Sequence, residues 1–302
     1  MTKSSGMILL GAPVRLGPAG PSSRACKTAP STVVGEAKRR AAGLGAGTGL
    51  SKRLVRLAAT GLMVASLALS AQPAQASKRA AKAIAAAVAD PDRPAADRAR
   101  DALRKPAACL EFAGVHRGMA VAELFPGHGY FTRILSRIVG PKGHVYEFEG
   151  SSKQGEPSPI QAIADDPHYY HNITVTVWPV GKLPVPRPVD LVWTSQNYHD
   201  LHNIPGLNVA DFDRAVFQAL KPGGVYLVLD HVAPAGSGFS DTSTLHRIDP
   251  EAAKKEIMSA GFEFVGQSNV LRNPKDPHTI KVFDPSIRGH TDQFVFAFRK
   301  PK

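Results

Sequence analysis

The sequence predicts an α/β fold built on a mostly parallel sheet. Three observations predict it. From residue 119 onward, short apolar runs alternate with segments of helical period. The first run ends in a turn, Pro126-Gly127-His128-Gly129, that opens directly into a helix pattern. The last two runs are joined by a long polar connection, across which they can pair antiparallel. Seven strands result, the last of them antiparallel.

The elements follow in order. Residues 94–113 have helical character with a break near Pro106, because proline cannot continue a helix. Ala120 to Phe125 is the first strand. Phe131, Ile134, Leu135, Ile138 and Val139 then fall on one helix face, and Gly140-Pro141 stops that helix. His144 to Glu149, Ile173 to Trp178 and Asp190 to Thr194 are the next strands. Val209, Phe212, Val216, Phe217 and Leu220 mark a helix that ends at Lys221-Pro222-Gly223-Gly224. Val225 to Leu229 is apolar throughout, as a strand covered on both faces must be. Asp249-Pro250 caps a helix that runs to Ala260, with Gly261 after it. Phe262 to Val265 and Gln293 to Arg299 are the last strands, and the connection 268–292 is a candidate lid.

Residues 1–76 form a separate leader. Of the net charge of +12, +9 lies there: ten Lys/Arg against Glu36 alone. The remaining 226 residues hold 27 Lys/Arg and 24 Asp/Glu, a balance that argues against a nucleic-acid partner. Within the leader, Lys52, Arg53 and Arg56 precede an apolar run from Leu57 to Leu69, and Ala74-Gln75-Ala76 is a small-x-small cleavage signal. This order is that of a secretory signal peptide over 51–76, and the apolar run is short for a membrane span. The expected location is periplasmic or secreted. The 50 residues upstream are explained by a start codon set too early or, being Arg-rich and nearly free of acids, by organelle import. Residues 77–93 are expected as a frayed helix or a linker and 94–302 as the domain. Cys109 is the one cysteine outside the leader and is expected in the core.

A glycine-bearing turn after a strand lets a ligand approach the backbone closely. A dinucleotide fingerprint would need a third glycine where Thr132 stands, and no Gly-Lys-Ser/Thr of a P-loop follows. The stretch Glu123-Leu124-Phe125-Pro126-Gly127-His128-Gly129, the acid Glu149 twenty residues later and Leu220-Lys221-Pro222-Gly223-Gly224 before the fifth strand occur in the order of another family. In these motifs, residues 94–302 resemble the class I S-adenosylmethionine-dependent methyltransferases, in particular a group of bacterial predicted methyltransferases with export signals. The resemblance implies a Rossmann-like sandwich with a seven-stranded sheet. It implies S-adenosylmethionine as cofactor, held by Glu123, Phe125, Pro126, Gly127, His128, Gly129, Tyr130 and Asn197, with Glu149 on the ribose hydroxyls. Two departures stand out. Phe125 replaces the first glycine, and Trp178 to Pro186 offers no carboxylate for the adenine amine.

The carboxyl ends of the strands are where such a sheet binds ligands. The segments Ser195 to His202, Asp230-His231 and His246 to Asp249 fall there. For transfer to a hydroxyl, His199 is the first candidate base, with Asp200 as orienter. His202 and His231 are further candidates, and Tyr198 is expected to close over cofactor or acceptor. Arg104 is a candidate partner for a carboxylate, or else a solvated residue of a helix face. Metal binding is a second reading, since His199, Asp200, His202, His231 and His246 are ligand types that could converge, but His-Asp-x-His matches no standard zinc spacing, so no metal is expected. The expected activity is in-line methyl transfer to a small molecule. The alternative is an exported, non-catalytic binding protein on the same fold.

Overall fold

The structure is a computed structural model that describes residues 75–150 and 158–302. The leader segment 1–74, with nearly all of the expected signal peptide, lies outside the described residues. Seven strands form one sheet in the order β3-β2-β1-β4-β5-β7-β6. They are β1 Ala120–Leu124, β2 His144–Glu149, β3 Ile173–Val177, β4 Val189–Ser195, β5 Leu220–His231, β6 Glu263–Ser268 and β7 Gln293–Arg299. β1 to β5 are parallel, while β7 runs antiparallel between β5 and β6. The mostly parallel expectation and the antiparallel last strand hold.

Helices cover both faces, because the central strands bury both sets of alternating side chains. On one face lie α1 (residues 75–88), α4 (Pro106–Phe112), α5 (Tyr130–Val139) and α6 (Pro159–Asp165), packed on Val121, Val145, Leu191 and Leu227. On the other lie α7 (Tyr198–Leu201), α8 (Val209–Ala219) and α9 (Pro250–Ser259), packed on Ala122, Phe148, Val192 and Val228. Two short helices, α2 (Ala95–Arg98) and α3 (Asp101–Arg104), precede α4. The interruption expected at Pro106 is present, and Lys105 takes a left-handed conformation between α3 and α4.

Two expectations need correction. Residues 77–93 are neither frayed nor a linker. They are helical to residue 88, Ile84 and Ala87 are buried, and Arg93 is 2% exposed with its guanidinium bonded to both Asp101 oxygens at 2.8 Å. The alanine-rich composition hides an amphipathic stripe of only two or three apolar side chains. In addition, β5 starts at Leu220 and runs through Lys221-Pro222-Gly223-Gly224 rather than starting after it. An irregularity in the β4–β5 pairing between Val189 and Leu191 absorbs the extra residues. Lys221 there meets Asp190 at 2.6 Å.

The sheet order reverses between β1 and β4. From β1 the chain steps outward to β2 and β3, and later from β4 to β5. The crevice of an open parallel sheet lies at the carboxyl ends of such a strand pair. No described helix is long and apolar enough to cross a membrane.

Candidate functional site

The loop after β1 is built on left-handed backbone. Phe125 has φ 53°, Gly127 62° and Gly129 77°. For the glycines this conformation is free of strain, whereas for Phe125 it costs about 1–3 kcal/mol. So Phe125 keeps the backbone shape of the glycine it replaces. Its amide donates to the Phe148 carbonyl at 2.9 Å, and its ring packs edge-on against Trp178 at 4.9 Å. A side chain at Gly129 would strike Ile163 of α6, with Cβ at 2.2 Å from its Cδ1. At Gly127 it would meet nothing within 4 Å. Gly129 therefore serves packing, while Gly127 leaves open space. Pro126 is buried beneath the loop and His128 is exposed.

Two residues expected at the cofactor, Glu123 and Tyr130, have other partners. Glu123 is buried and accepts from Thr132 Oγ1 at 2.9 Å, so it ties β1 to α5. Glu147, beside it on β2, is fully buried. Burial pushes Glu123 up to about 7 and Glu147 well above its ordinary value, the latter reinforced by the charge of Glu123. Two carboxyls so placed cannot both ionise at neutral pH. Tyr130 is buried under α3: its hydroxyl donates to Asp101 Oδ1 at 2.6 Å and the Arg104 guanidinium lies 4.3 Å from its ring centroid. It props the N-terminal helices on the loop rather than facing a ligand.

Glu149 stands at the end of β2, half-buried, with Oε2 accepting from Ser158 Oγ at 2.6 Å. Ser158 also caps α6 by accepting from the amides of Ile160 and Gln161. The carboxylate is thereby oriented at the strand end, where the ribose contact was expected. Asn197 bridges the two sides of the crevice, its amide donating to the carbonyls of Phe125 at 3.2 Å and Ser195 at 2.8 Å. Arg104 is not on a solvated helix face. It reaches Ser195 Oγ at 3.3 Å and Gln196 Oε1 at 3.4 Å, at the end of β4. It forms no ion pair among the described residues, and burial lowers its pKa. A desolvated guanidinium with only long, neutral contacts favours an anion beside it.

The histidine segment is more structured than its sequence indicates. His199 is 2% exposed. Its Nδ1 lies 2.8 Å from Asp230 Oδ1, and its backbone amide donates to Asp230 Oδ2 at 2.7 Å. Its Nε2 faces Asp200 Oδ1 at 3.3 Å and His246 Nδ1 at 3.4 Å. Burial opposes a charge on this imidazole, but the carboxylates of Asp230 and Asp200 outweigh it and raise its pKa to about 10. Asp230, not Asp200, is therefore the orienting carboxylate. His231 is the reverse case. Burial lowers it to about 4, and its Nδ1 pairs with Thr291 Oγ1 at 2.8 Å. Tyr198 points away from the crevice into the α7–α8–α9 core, where its hydroxyl meets Asp213 at 2.8 Å and Glu256 at 2.9 Å. The expectation that it closes over a ligand fails, because this side chain is fully buried among those helices.

The connection 269–292 contains no helix or strand but is firmly pinned. Arg247 and Asp276 form a buried ion pair at 2.9 Å, and Asp292 is held by Arg272 and His278. Phe283 from this connection packs on the His246 ring at 4.9 Å, and His246 itself has φ 56°. Two clefts, of about 910 and 400 Å³, lie at the other end of the sheet, lined by residues such as His116, Arg117 and Gly224. Neither is lined by a residue of the crevice described above, whose convergent polar groups lie at the carboxyl ends of the strands instead.

No family profile matches the chain. Relatives nonetheless align with it. It is 31% identical over 133 residues to the ubiquinone/menaquinone biosynthesis C-methyltransferase UbiE of Pseudomonas paraeruginosa, covering 42% of this chain and 48% of that protein. It is 28% identical over 122 residues to the protein-L-isoaspartate O-methyltransferase of Ignicoccus hospitalis, covering 39% of this chain and 50% of that one. The chain is a homologue of the class I S-adenosylmethionine-dependent methyltransferases. It spans about half the length of these two relatives. The solved structure of the [4+2]-cyclase SpnF matches with TM-score 0.50 at 18% identity, over 68% of this chain and 81% of that one. That match bears on the methyltransferase-like fold alone, and the cyclase activity in its name illustrates that a fold does not fix a reaction.

Of the residues expected at the cofactor, Gly127, Glu149 and Asn197 lie together at the carboxyl ends of β1, β2 and β4, while Gly129 packs against α6. Glu147, Ser158 and Thr291 were not singled out from sequence as site residues, and Asp230 was placed at the crevice without a role. Asp230 had a signal: an acid closing a fully apolar strand must find a buried partner. The others had none, since each acts through a neighbour distant in the chain.

Proposed function

We propose that the chain binds S-adenosylmethionine over the Phe125–Gly129 loop, with Glu149 on the ribose, and transfers its methyl group to a small molecule. The single observation that carries this reading is the loop itself. Three left-handed residues and the open space at Gly127 sit beside an oriented carboxylate at the end of β2. Arg104 supplies the counter-charge for a carboxylate in the same crevice. The sulfonium already activates the methyl carbon, so alignment supplies most of the catalysis. A base role for His199 fits poorly, because Asp230, Asp200 and His246 engage both ring nitrogens.

The acceptor is a small molecule on this reading, since the crevice carries no basic stripe for nucleic acid. On this reading the export pattern over 51–76 sends the protein to the periplasm or outside the cell, with organelle import as the alternative; its N-terminus, sequenced from each fraction, decides between them. A non-catalytic binding protein is the second reading of function. The observation that favours it is Phe125, whose ring stands against Trp178 where the family has only a hydrogen.

The test is calorimetric titration of the full chain with S-adenosylmethionine and S-adenosylhomocysteine, repeated on Gly127→Val. Binding that the variant loses is the expected result, because a side chain there meets no protein atom within 4 Å and fills the open space; circular dichroism verifies that the left-handed backbone strain of the variant leaves the fold intact. No binding to the unaltered chain would overturn the cofactor assignment. Binding without methyl transfer across a panel of small-molecule acceptors would favour the second reading.

A further inference from the structure

Three potential ligand atoms on the acceptor side of the crevice form a nearly equilateral triangle. His199 Nε2 lies 3.3 Å from Asp200 Oδ1 and 3.4 Å from His246 Nδ1, and the last two are 3.6 Å apart. Sequence spacing does not reveal this set. His199 and Asp200 are neighbours on α7, while His246 comes from the connection between β5 and α9 and follows 46 residues later than Asp200, within the single segment 200–246.

The edges discriminate between coordination geometries. Ligands at about 2.0–2.1 Å from one ion lie about 3.3–3.4 Å apart in a tetrahedron and about 2.9 Å apart at the cis positions of an octahedron. The observed edges match the tetrahedron. The supporting contacts match as well. A metal-bound imidazole usually gives its other nitrogen to a carboxylate, which fixes the ring. Here Asp230, wholly buried, takes His199 Nδ1 at 2.8 Å and leaves Nε2 facing the triangle. Phe283 packs against the His246 ring. The triangle is accessible on one side: the Asp200 side chain is 38% exposed and that of His246 26%.

The geometry points to a divalent metal site made by His199 Nε2, Asp200 Oδ1 and His246 Nδ1, of zinc type, with its fourth position open to the crevice. Two histidines and a carboxylate are a donor set suited to such an ion, and three protein ligands leave one place for water or an oxygen of a bound molecule. Binding displaces the proton from His199 Nε2. The site stands independently of cofactor binding. Its role there rests on the proposed methyl transfer: it narrows the acceptor to a molecule that offers an oxygen donor to the ion.

A second triplet, Asp90, Asp92 and His168, has the same residue types but not the same setting. Arg137 already pairs with Asp90 at 3.1 Å, and Asp92 is 66% exposed. It serves as the internal control.

The experiment is equilibrium dialysis of the chelator-stripped full chain against Zn²⁺, with Co²⁺ as a second probe whose visible bands report tetrahedral ligation. The expected result is one Zn²⁺ per chain, weakened at least tenfold by His246→Gln and by Asp200→Asn but unchanged by His168→Gln. Both affected positions are partly exposed, and circular dichroism verifies that the variants fold. The absence of stoichiometric zinc would overturn the site, and so would binding that survives His246→Gln. Because no S-adenosylmethionine is present, failure of cofactor binding leaves this outcome untouched, and the reverse is also true.

Discussion

Adjacent buried carboxyls make a pH-dependent weakness. Glu123 and Glu147 sit side by side on β1 and β2 with burial raising both. A carboxyl raised in the folded state favours folding while protonated. That contribution is fully present below about 4.5, the ordinary value, and is lost as pH rises through about 7. Stability should therefore decline between pH 4.5 and 7 and stay low above it. Glu147→Gln removes the conflict while keeping the shape. It should raise the thermal midpoint at pH 8, by the equivalent of about 1–3 kcal/mol, and change little at pH 5. Equal effects at the two pH values would show that the pair does not share a proton. The Asp230 carboxylate is the opposite kind of group. It is wholly buried but paired, accepting from the amides of His199 and His231 as well as facing the imidazole. Asp230→Ala leaves those donors unpaired, and a loss of about 3–5 kcal/mol in urea unfolding is expected.

Among the elements, what was legible in the sequence had a local cause. β2 and β7 fall at their expected residues because apolar alternation and flanking turns bound them. α5 follows from its apolar face and the Gly140-Pro141 stop. The start of β5 was not legible, since Pro-Gly-Gly reads as a break and only pairing with β4 draws it into the strand. The site divides in the same way. Gly127 and Gly129 announce themselves through turn chemistry, but the inward turn of Tyr198 depends on Asp213 and Glu256, 15 and 58 residues away. Nor does the 268–292 connection reveal from composition that it is fastened. Its anchor is the Arg247–Asp276 pair, strengthened by Arg247 donating to the carbonyls of Val232 and Ile280. Asp276→Asn should free this connection without unfolding the sheet. Limited proteolysis would then cut within 269–292 at least several-fold faster, while the unaltered chain resists. Equal cleavage rates would mean that the buried pair is not the anchor.

At the scale of the whole molecule, the decisive question is where the domain begins. The resemblance covers 94–302, but the core reaches further back. Ile84 and Ala87 are 1% and 4% exposed, in one cluster with Cys109, Leu110 and Leu135. Fully burying an isoleucine stabilises by about 1.5–3 kcal/mol. Asp90 adds contacts to Arg137 at 3.1 Å and His168 at 2.8 Å, and Arg93 holds Asp101, which in turn holds Tyr130 under the cofactor loop. Residues 75–93 are thus linked to the loop through a short chain of polar contacts. Cleavage after Ala76 would retain every one of these groups. A chain starting at Ser77 should therefore fold with full stability, and one starting at Pro94 should lose at least about 3 kcal/mol in urea unfolding. The shorter chain should also bind S-adenosylmethionine more weakly, because Tyr130 and Arg104 lose the support of Arg93. Equal denaturation midpoints for the two would make the N-terminal helix a bystander, and would return the domain boundary to residue 94.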